Sequence, residues 1–372
     1  MKSPAKRAVG VSIVTLVCAS LTACAGGSAS SVTTNAESCE KVTLQYAAYS
    51  TPKSPSEITM AGWYASELEK RTNGCVTMKG SWSGALLGGD TMLEGVASHQ
   101  VDMGEINPIY YPAQLPLTQV VGLPFTNEGN PAAVTDAYAE LYETDEEFRA
   151  EWENNGVVVL AWKQLGPAMM GAKEPIDSLE DMRGLKVRTA GNITQVFNAI
   201  GADPIGIPGQ EVYESLQRGT IDAYGAQSLE YIPQQSFAEV APYTYETGSG
   251  VYAIDTTVIN KSVYDNLGPD VQQVFVDLRK EFNAKLTSIK AEMGAEVCDA
   301  LLKQGATVGV FSDDMVDQWE KAVGDSVYKS WAGTIGDEEK ARTFFDRYTQ
   351  QVEAKQKNYP AYESATEACV NK

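Results

Sequence analysis

Arg188 follows the short strand-like run of residues 185–187, so its guanidinium would sit at a strand's carboxyl edge rather than on a helix face. There its planar fork of donors fits a carboxylate through two parallel hydrogen bonds. Taken alone, one arginine among many reads more simply as half of a structural salt bridge. The other residues able to do chemistry make poorer sets. His99 is the only histidine, which excludes a zinc site of the two- or three-histidine kind, and the six cysteines show no C-x-x-C spacing. Thr247-Gly248-Ser249-Gly250 approaches a nucleophile elbow but lacks its flanking pattern, so a Ser-His hydrolase is not expected. The acidic pairs Glu180/Asp181 and Glu146/Glu147 stand in helix-start or surface contexts, where carboxylates favour a helix's amino end. Neither the phosphate-binding nor the dinucleotide glycine fingerprint occurs. These residues offer no catalytic set, and no metal or cofactor is expected.

The elements that must position Arg188 alternate between helix and strand. Residues 42–48 read as a strand, 57–71 as a helix with apolar Ile58, Ala61, Ala65 and Leu68 on one face, and 76–82 as a returning strand, a β-α-β unit of a parallel sheet. Helices are expected over 91–98, 132–143, 145–154 and 195–200, and strands over 101–105, 157–162 and 184–189, with a second lobe beginning near Leu165. Gly89 to Asp102 and Gly209 to Asp222 share a pattern: glycine, glutamate five residues on (Glu94, Glu214), then Val101 or Ile221 before the aspartate. Such a correspondence implies two similarly built lobes with a ligand cleft between them. From Asp270 to Gln304 the apolar positions keep helical spacing for about ten turns, on the order of 50 Å, enough to touch both lobes. A dimer helix would carry the same stripe.

The chain has 372 residues, with 49 Asp plus Glu against 29 Lys plus Arg, for a formal charge of −20. That excess of acid repels a polyanion, and no segregated basic patch offsets it, so nucleic-acid binding is not expected. Lys2, Lys6 and Arg7, then an apolar run over residues 8–19, form a signal peptide over residues 1–23. Leu21-Thr22-Ala23-Cys24 resembles a bacterial lipobox, in which the cysteine is acylated and becomes the first mature residue. A Gly/Ser/Thr-rich tether over 24–38 follows. Cleavage removes three positive charges and leaves −23, so an anionic ligand must be held by local groups. Cys39, Cys75, Cys298 and Cys369 then form two disulfides in an oxidising compartment. Three pairings are possible; Cys39–Cys75 and Cys298–Cys369 are preferred because each pair lies at element edges in one part of the chain.

The segment from Ser178 through Leu-Glu-Asp-Met-Arg-Gly-Leu-Lys-Val to Arg188, then Gly201-Ala-Asp-Pro-Ile205, Glu211 to Asp222, and upstream Leu123-Pro124-Phe125, resembles the substrate-binding proteins of tripartite ATP-independent periplasmic (TRAP) transporters. The resemblance runs from about Val42 to Gly336. It implies an α/β, two-lobed periplasmic-binding-protein-like fold of type II, with hinge strands and a long lobe-spanning helix. It assigns residues 39–164 plus about 254–292 to one lobe, and 165–253 plus about 293–372 to the other. It also implies that Arg188 holds the carboxylate of a small organic acid. Asn107, Tyr110, Trp82 and Tyr49 at strand ends, and Tyr224, Gln227 and Met169 on the second lobe, complete the expected pocket, although core packing is as fair a reading of the aromatics. Relatives that bind sialic acid carry a second arginine where this chain has Ala168, and metal-assisted 2-oxo acid binders carry Glu-Trp where it has Gly225-Ala226. Both departures point to a monocarboxylate with an apolar or hydroxylated body. The implied role is an extracytoplasmic, lipid-anchored receptor that delivers its ligand to TRAP membrane subunits, not an enzyme. An ABC-type or sensory binding protein would share these features, and a secreted enzyme is the remaining alternative.

Overall fold

The computed structural model describes residues 40–127 and 129–370. The expected signal peptide, Cys24, the tether and Cys39 lie outside them.

Two sheets organise the chain. The first contains β1 (Val42–Ala47), β2 (Val76–Ser81), β3 (Met103–Ile106), β4 (Val157–Gln164) and β10 (Ile254–Asn260), in the order β2-β1-β3-β10-β4. The second contains β5 (Pro167–Ala172), β6 (Lys186–Thr189), β7 (Asp203–Gly206), β8 (Ala223–Gln227), β9 (Tyr243–Val251) and β11 (Thr307–Val310), in the order β11-β9-β5-β8-β6-β7. In β1, Leu44 and Tyr46 turn inward while Thr43 and Gln45 face water, the period-two pattern of a half-buried strand. Every residue of β4 is buried, as its continuous apolar run requires. The three strands around Arg188 are parallel, β6 pairing with β7 on one side and β8 on the other. The helix expected over 57–71 is interrupted by a π-turn at Thr59–Tyr64.

The duplicated pattern is a real structural correspondence. Asp102 accepts a hydrogen bond from the backbone N–H of Gln45 at 2.7 Å, and Asp222 accepts one from that of Lys186 at 3.1 Å. Each aspartate thus ties the loop before β3 or β8 to the neighbouring parallel strand, β1 or β6.

The chain passes from the first sheet to the second between Gln164 and Pro167, through Gly166 at φ +91°, and returns between Val251 and Ile254. Because β4 pairs with β10, and β5 with β9, the two crossings form a double-stranded hinge. Helix Pro269–Lys303 runs alongside; its Phe282 and Leu286 join the core of the first sheet, and its Val297 and Leu301 that of the second. At 35 residues it spans about 50 Å. Its Cys298 is bonded to Cys369, with Cα atoms 5.2 Å apart. Cys75 is also disulfide-bonded.

The segment after 293 does not stay with the second sheet. Helix Glu338–Gln356 lays Phe344 and Tyr348 on Phe148 and Tyr138 of the first lobe, with Lys340 2.5 Å from Glu147. Trp331 donates to the Pro116 carbonyl at 2.8 Å. The cause is the helix Pro131–Thr144, whose apolar face needs covering and finds that stripe as its cover. The chain then returns to the second sheet, where Thr366 donates to Glu246 at 2.8 Å.

Candidate functional site

Arg188 leaves the middle of the β7-β6-β8 trio and is 1% exposed. A slip in register explains how it is held. The pairing of β5 on β8 shifts between Met169 and Gly171, and Ala226 adopts φ +53°, a conformation that costs a non-glycine residue about 1–2 kcal/mol. Beside the slip, two carbonyls of β8 accept from Arg188 Nη1, Gly225 at 3.4 Å and Ala226 at 3.3 Å. Nε donates to the Ile207 carbonyl at 2.9 Å, and Nη2 to the Tyr110 hydroxyl at 3.3 Å. Among the described residues no carboxylate lies within ion-pair distance. A buried guanidinium is thus oriented by neutral oxygens alone, with its charge left uncompensated.

The contact with Tyr110 crosses between lobes. Tyr110 ends a short turn that opens with Asn107, whose side chain accepts from the Ile109 N–H at 3.2 Å. The Tyr110 hydroxyl accepts both from Arg188 and from the Gly209 N–H, at 3.2 Å, so its own proton remains available to a third group. Gln227, at the end of β8, lines the same cleft and is buried; among the described residues its amide makes no side-chain hydrogen bond. Tyr49 lines the cleft from the end of β1 and donates to Asp255 at 2.7 Å. The cleft encloses about 60 Å³, room for about four or five waters. The Tyr110 hydroxyl joins the lobes across it, to Arg188 and Gly209, as does Thr51 of the first lobe, which donates to Gln234 of the second at 2.7 Å.

Three expected pocket residues lie elsewhere. Trp82 follows β2, the outer strand of the first sheet, and its indole N–H donates to Glu57 at 3.0 Å. Tyr224 is buried against Phe237 on the other face of the second sheet, and Met169 belongs to the same core. Tyr224 turns into that core, while Gln227, three residues on and past the register slip, lines the cleft. His99 pairs with Asp102 at 2.7 Å on the surface, and Ser249 hydrogen-bonds Thr247, with no hydrogen bond to a base among the described residues.

Sequence reasoning missed a buried charged layer behind the cleft. Lys163 Nζ lies 2.5 Å from Glu57, 3.5 Å from Glu105 and 2.9 Å from the Tyr46 hydroxyl, and all three charged side chains are fully buried. Burial works against the Lys163 ammonium, but Glu105 and Glu57 outweigh it and hold its pKa above the usual value. Burial pushes the Glu105 and Asp255 carboxyls up, and the Lys163 charge only partly offsets this. At the cleft's hinge side, Lys290 of the long helix pairs with Glu230 at 2.6 Å. The available signal was a charged residue inside each strand-like run: Glu105 in β3, Lys163 in β4 and Asp255 in β10.

A hinged pair of α/β lobes closing on a buried, uncompensated cation defines a solute-binding protein. Residues 46–334 match the family described as bacterial extracellular solute-binding protein, family 7 (DctP), and the chain belongs to that family. A curated relative, the 2,3-diketo-L-gulonate-binding periplasmic protein YiaO of Escherichia coli, is 26% identical over 263 residues, 70% of this chain and 79% of that protein. The fold is also that of a TRAP solute-binding protein from Rhodoferax ferrireducens solved with copurified benzoate: TM-score 0.76, 21% identity, 86% of this chain and 99% of that one. A TRAP periplasmic solute-binding protein from Sulfitobacter sp. NAS-14.1 solved with β-D-galacturonate gives TM-score 0.73 at 20% identity, covering 83% of this chain and all of that one. No helix among the described residues is long and apolar enough to cross a membrane.

Proposed function

We propose that the protein captures a small organic acid outside the cytoplasm, fixes its carboxylate on Arg188, and hands it to TRAP membrane subunits for uptake driven by an ion gradient. The observation that carries this is the buried Arg188 charge with no acidic partner among the described residues. An anion entering the cleft supplies that partner, and exclusion of water strengthens the pair. Tyr110, Asn107, Gln227 and Tyr49 are the further ligand-facing groups. Tyr110 couples occupancy to closure, because it reaches Arg188 and Gly209 across the cleft. The lobes correspond to residues 40–164 with 254–292, and 165–253 with parts of 293–370, and the hinge strands let them part. The relatives bind sugar acids and an aromatic acid, which supports a carboxylate ligand. The reading includes a lipid anchor at Cys24 and no turnover of the ligand. Native mass spectrometry of the gently purified protein should find a bound small acid that is released unchanged. Binding of neutral or cationic solutes with no acid bound would overturn the proposal.

A further inference from the structure

Arg188 satisfies one end of a ligand, and the cleft contains a second unsatisfied group of opposite character. Asp255 stands near the start of β10, directly after the hinge crossing, and is 2% exposed. Its Oδ2 accepts from the Tyr49 hydroxyl at 2.7 Å. Its Oδ1 is buried without a hydrogen-bond partner among the described residues. Other buried polar atoms also lack partners, but among the described residues only Asp255 of that set lines the cleft. The neighbouring charges are already committed: Lys290 to Glu230, and Lys163 to Glu57 and Glu105. The cleft is left with one unpaired cation and one unpaired acceptor.

We propose that Asp255 Oδ1 receives a hydrogen bond from a donor on the ligand, so that the ligand is a carboxylic acid bearing a hydroxyl or ammonium group rather than a plain hydrocarbon acid. The inference rests on the carboxylate reading of Arg188. A buried carboxylate oxygen without a donor costs free energy, and a hydroxyl or ammonium in the cleft removes that cost. An unsubstituted acid would occupy the Arg188 end and leave Oδ1 unpaired, so it is rejected by the same physics that lets a polar site discriminate against an analogue lacking one donor. Burial raises the pKa of the Asp255 carboxyl, and the Tyr49 hydrogen bond and Lys163 oppose that rise, as a donor from the ligand would. Tyr49 occupies Oδ2, so Oδ1 is the oxygen of this cleft-lining carboxyl that lacks a donor among the described residues.

The test is calorimetric titration of the wild-type protein, Asp255→Asn and Arg188→Ala against two matched sets of acids. The donor-bearing set is galacturonate, gluconate, 3-hydroxybenzoate and 4-aminobutanoate; the plain set is benzoate, hexanoate and cyclohexanecarboxylate. The expected result is that the tightest binder is donor-bearing and that Asp255→Asn weakens it at least thirtyfold, while Arg188→Ala weakens every acid. If a plain acid binds tightest and Asp255→Asn leaves its affinity within threefold, the Asp255 proposal fails while the carboxylate reading stands. If no acid in either set binds, or Arg188→Ala changes nothing, the carboxylate reading fails and takes this inference with it. Should Asp255→Asn not fold, a crystal structure of the wild-type protein with its tightest acid decides: a ligand hydroxyl or nitrogen within hydrogen-bond distance of Oδ1 supports the proposal, and an apolar ligand atom against Oδ1 overturns it.

Discussion

Replacing Arg188 with alanine should abolish most of the affinity for an acid ligand without unfolding the protein. The guanidinium is 1% exposed, so the pair it forms with a carboxylate is fully desolvated. Truncating one partner of such a pair costs about 2–5 kcal/mol, which at ~1.4 kcal/mol per decade is a loss of roughly thirtyfold to several-thousandfold in Kd. The upper half of that range is favoured because Arg188 is also the group that Tyr110 grips from the other lobe, so the variant loses part of the closing contact as well. Arg188→Lys keeps the charge but cannot at once reach the Ile207 carbonyl, the Tyr110 hydroxyl and two ligand oxygens, and should fall between wild type and alanine. Tyr110→Phe removes the hydroxyl that accepts from both the Arg188 guanidinium and the Gly209 N–H and should cost about 2–3 kcal/mol, roughly thirtyfold to a hundredfold. Titration calorimetry with the tightest acid measures all three, and circular dichroism confirms the fold. An alanine variant that binds within threefold of wild type would refute the reasoning.

Lys163→Met should destabilise the protein by about 3–5 kcal/mol in urea unfolding, because Glu57 and Glu105 are left buried without their cation; a change under 1 kcal/mol would show that the two acids are protonated and need no partner. Replacing Cys298 and Cys369 together with serine releases a 71-residue loop and should cost about 4 kcal/mol on the chain-entropy account, read as a lower urea midpoint. Burial pushes the Glu151 carboxyl up to about 7, so its contribution to stability is fully present below its unfolded value near 4.5 and is lost as pH rises through 7. Urea midpoints measured from pH 4.5 to 8 should fall less steeply in Glu151→Gln than in wild type, and equal slopes would contradict the assignment. With a net charge of −20, the chain repels an anion, so added salt should speed ligand association in stopped-flow fluorescence rather than slow it.

Local pattern reached the supports of the site more surely than the site itself. The strand that carries Arg188, the helix of 35 residues and the paired Asp102 and Asp222 were legible because each follows from periodicity or from a turn that repeats. The fate of Trp82 and Tyr224 was not legible, because a strand end says which edge a residue reaches and not which face, and one step of register reverses the face. Asp255 was missed for a different reason: its role depends on Tyr49, 206 residues earlier, and only the pairing of the hinge strands brings them together. The return of helix Glu338–Gln356 to the first lobe was hidden similarly, since its apolar stripe fits either lobe and the exposed face of helix Pro131–Thr144 decides between them.

The most direct test of the account is a crystal structure of the protein with its copurified or tightest-binding acid. The account predicts a ligand carboxylate within hydrogen-bond distance of Arg188, with Tyr110 still bridging the lobes. A ligand seated elsewhere, with Arg188 bonded only to Ile207, Gly225 and Ala226 of its own lobe, would contradict it.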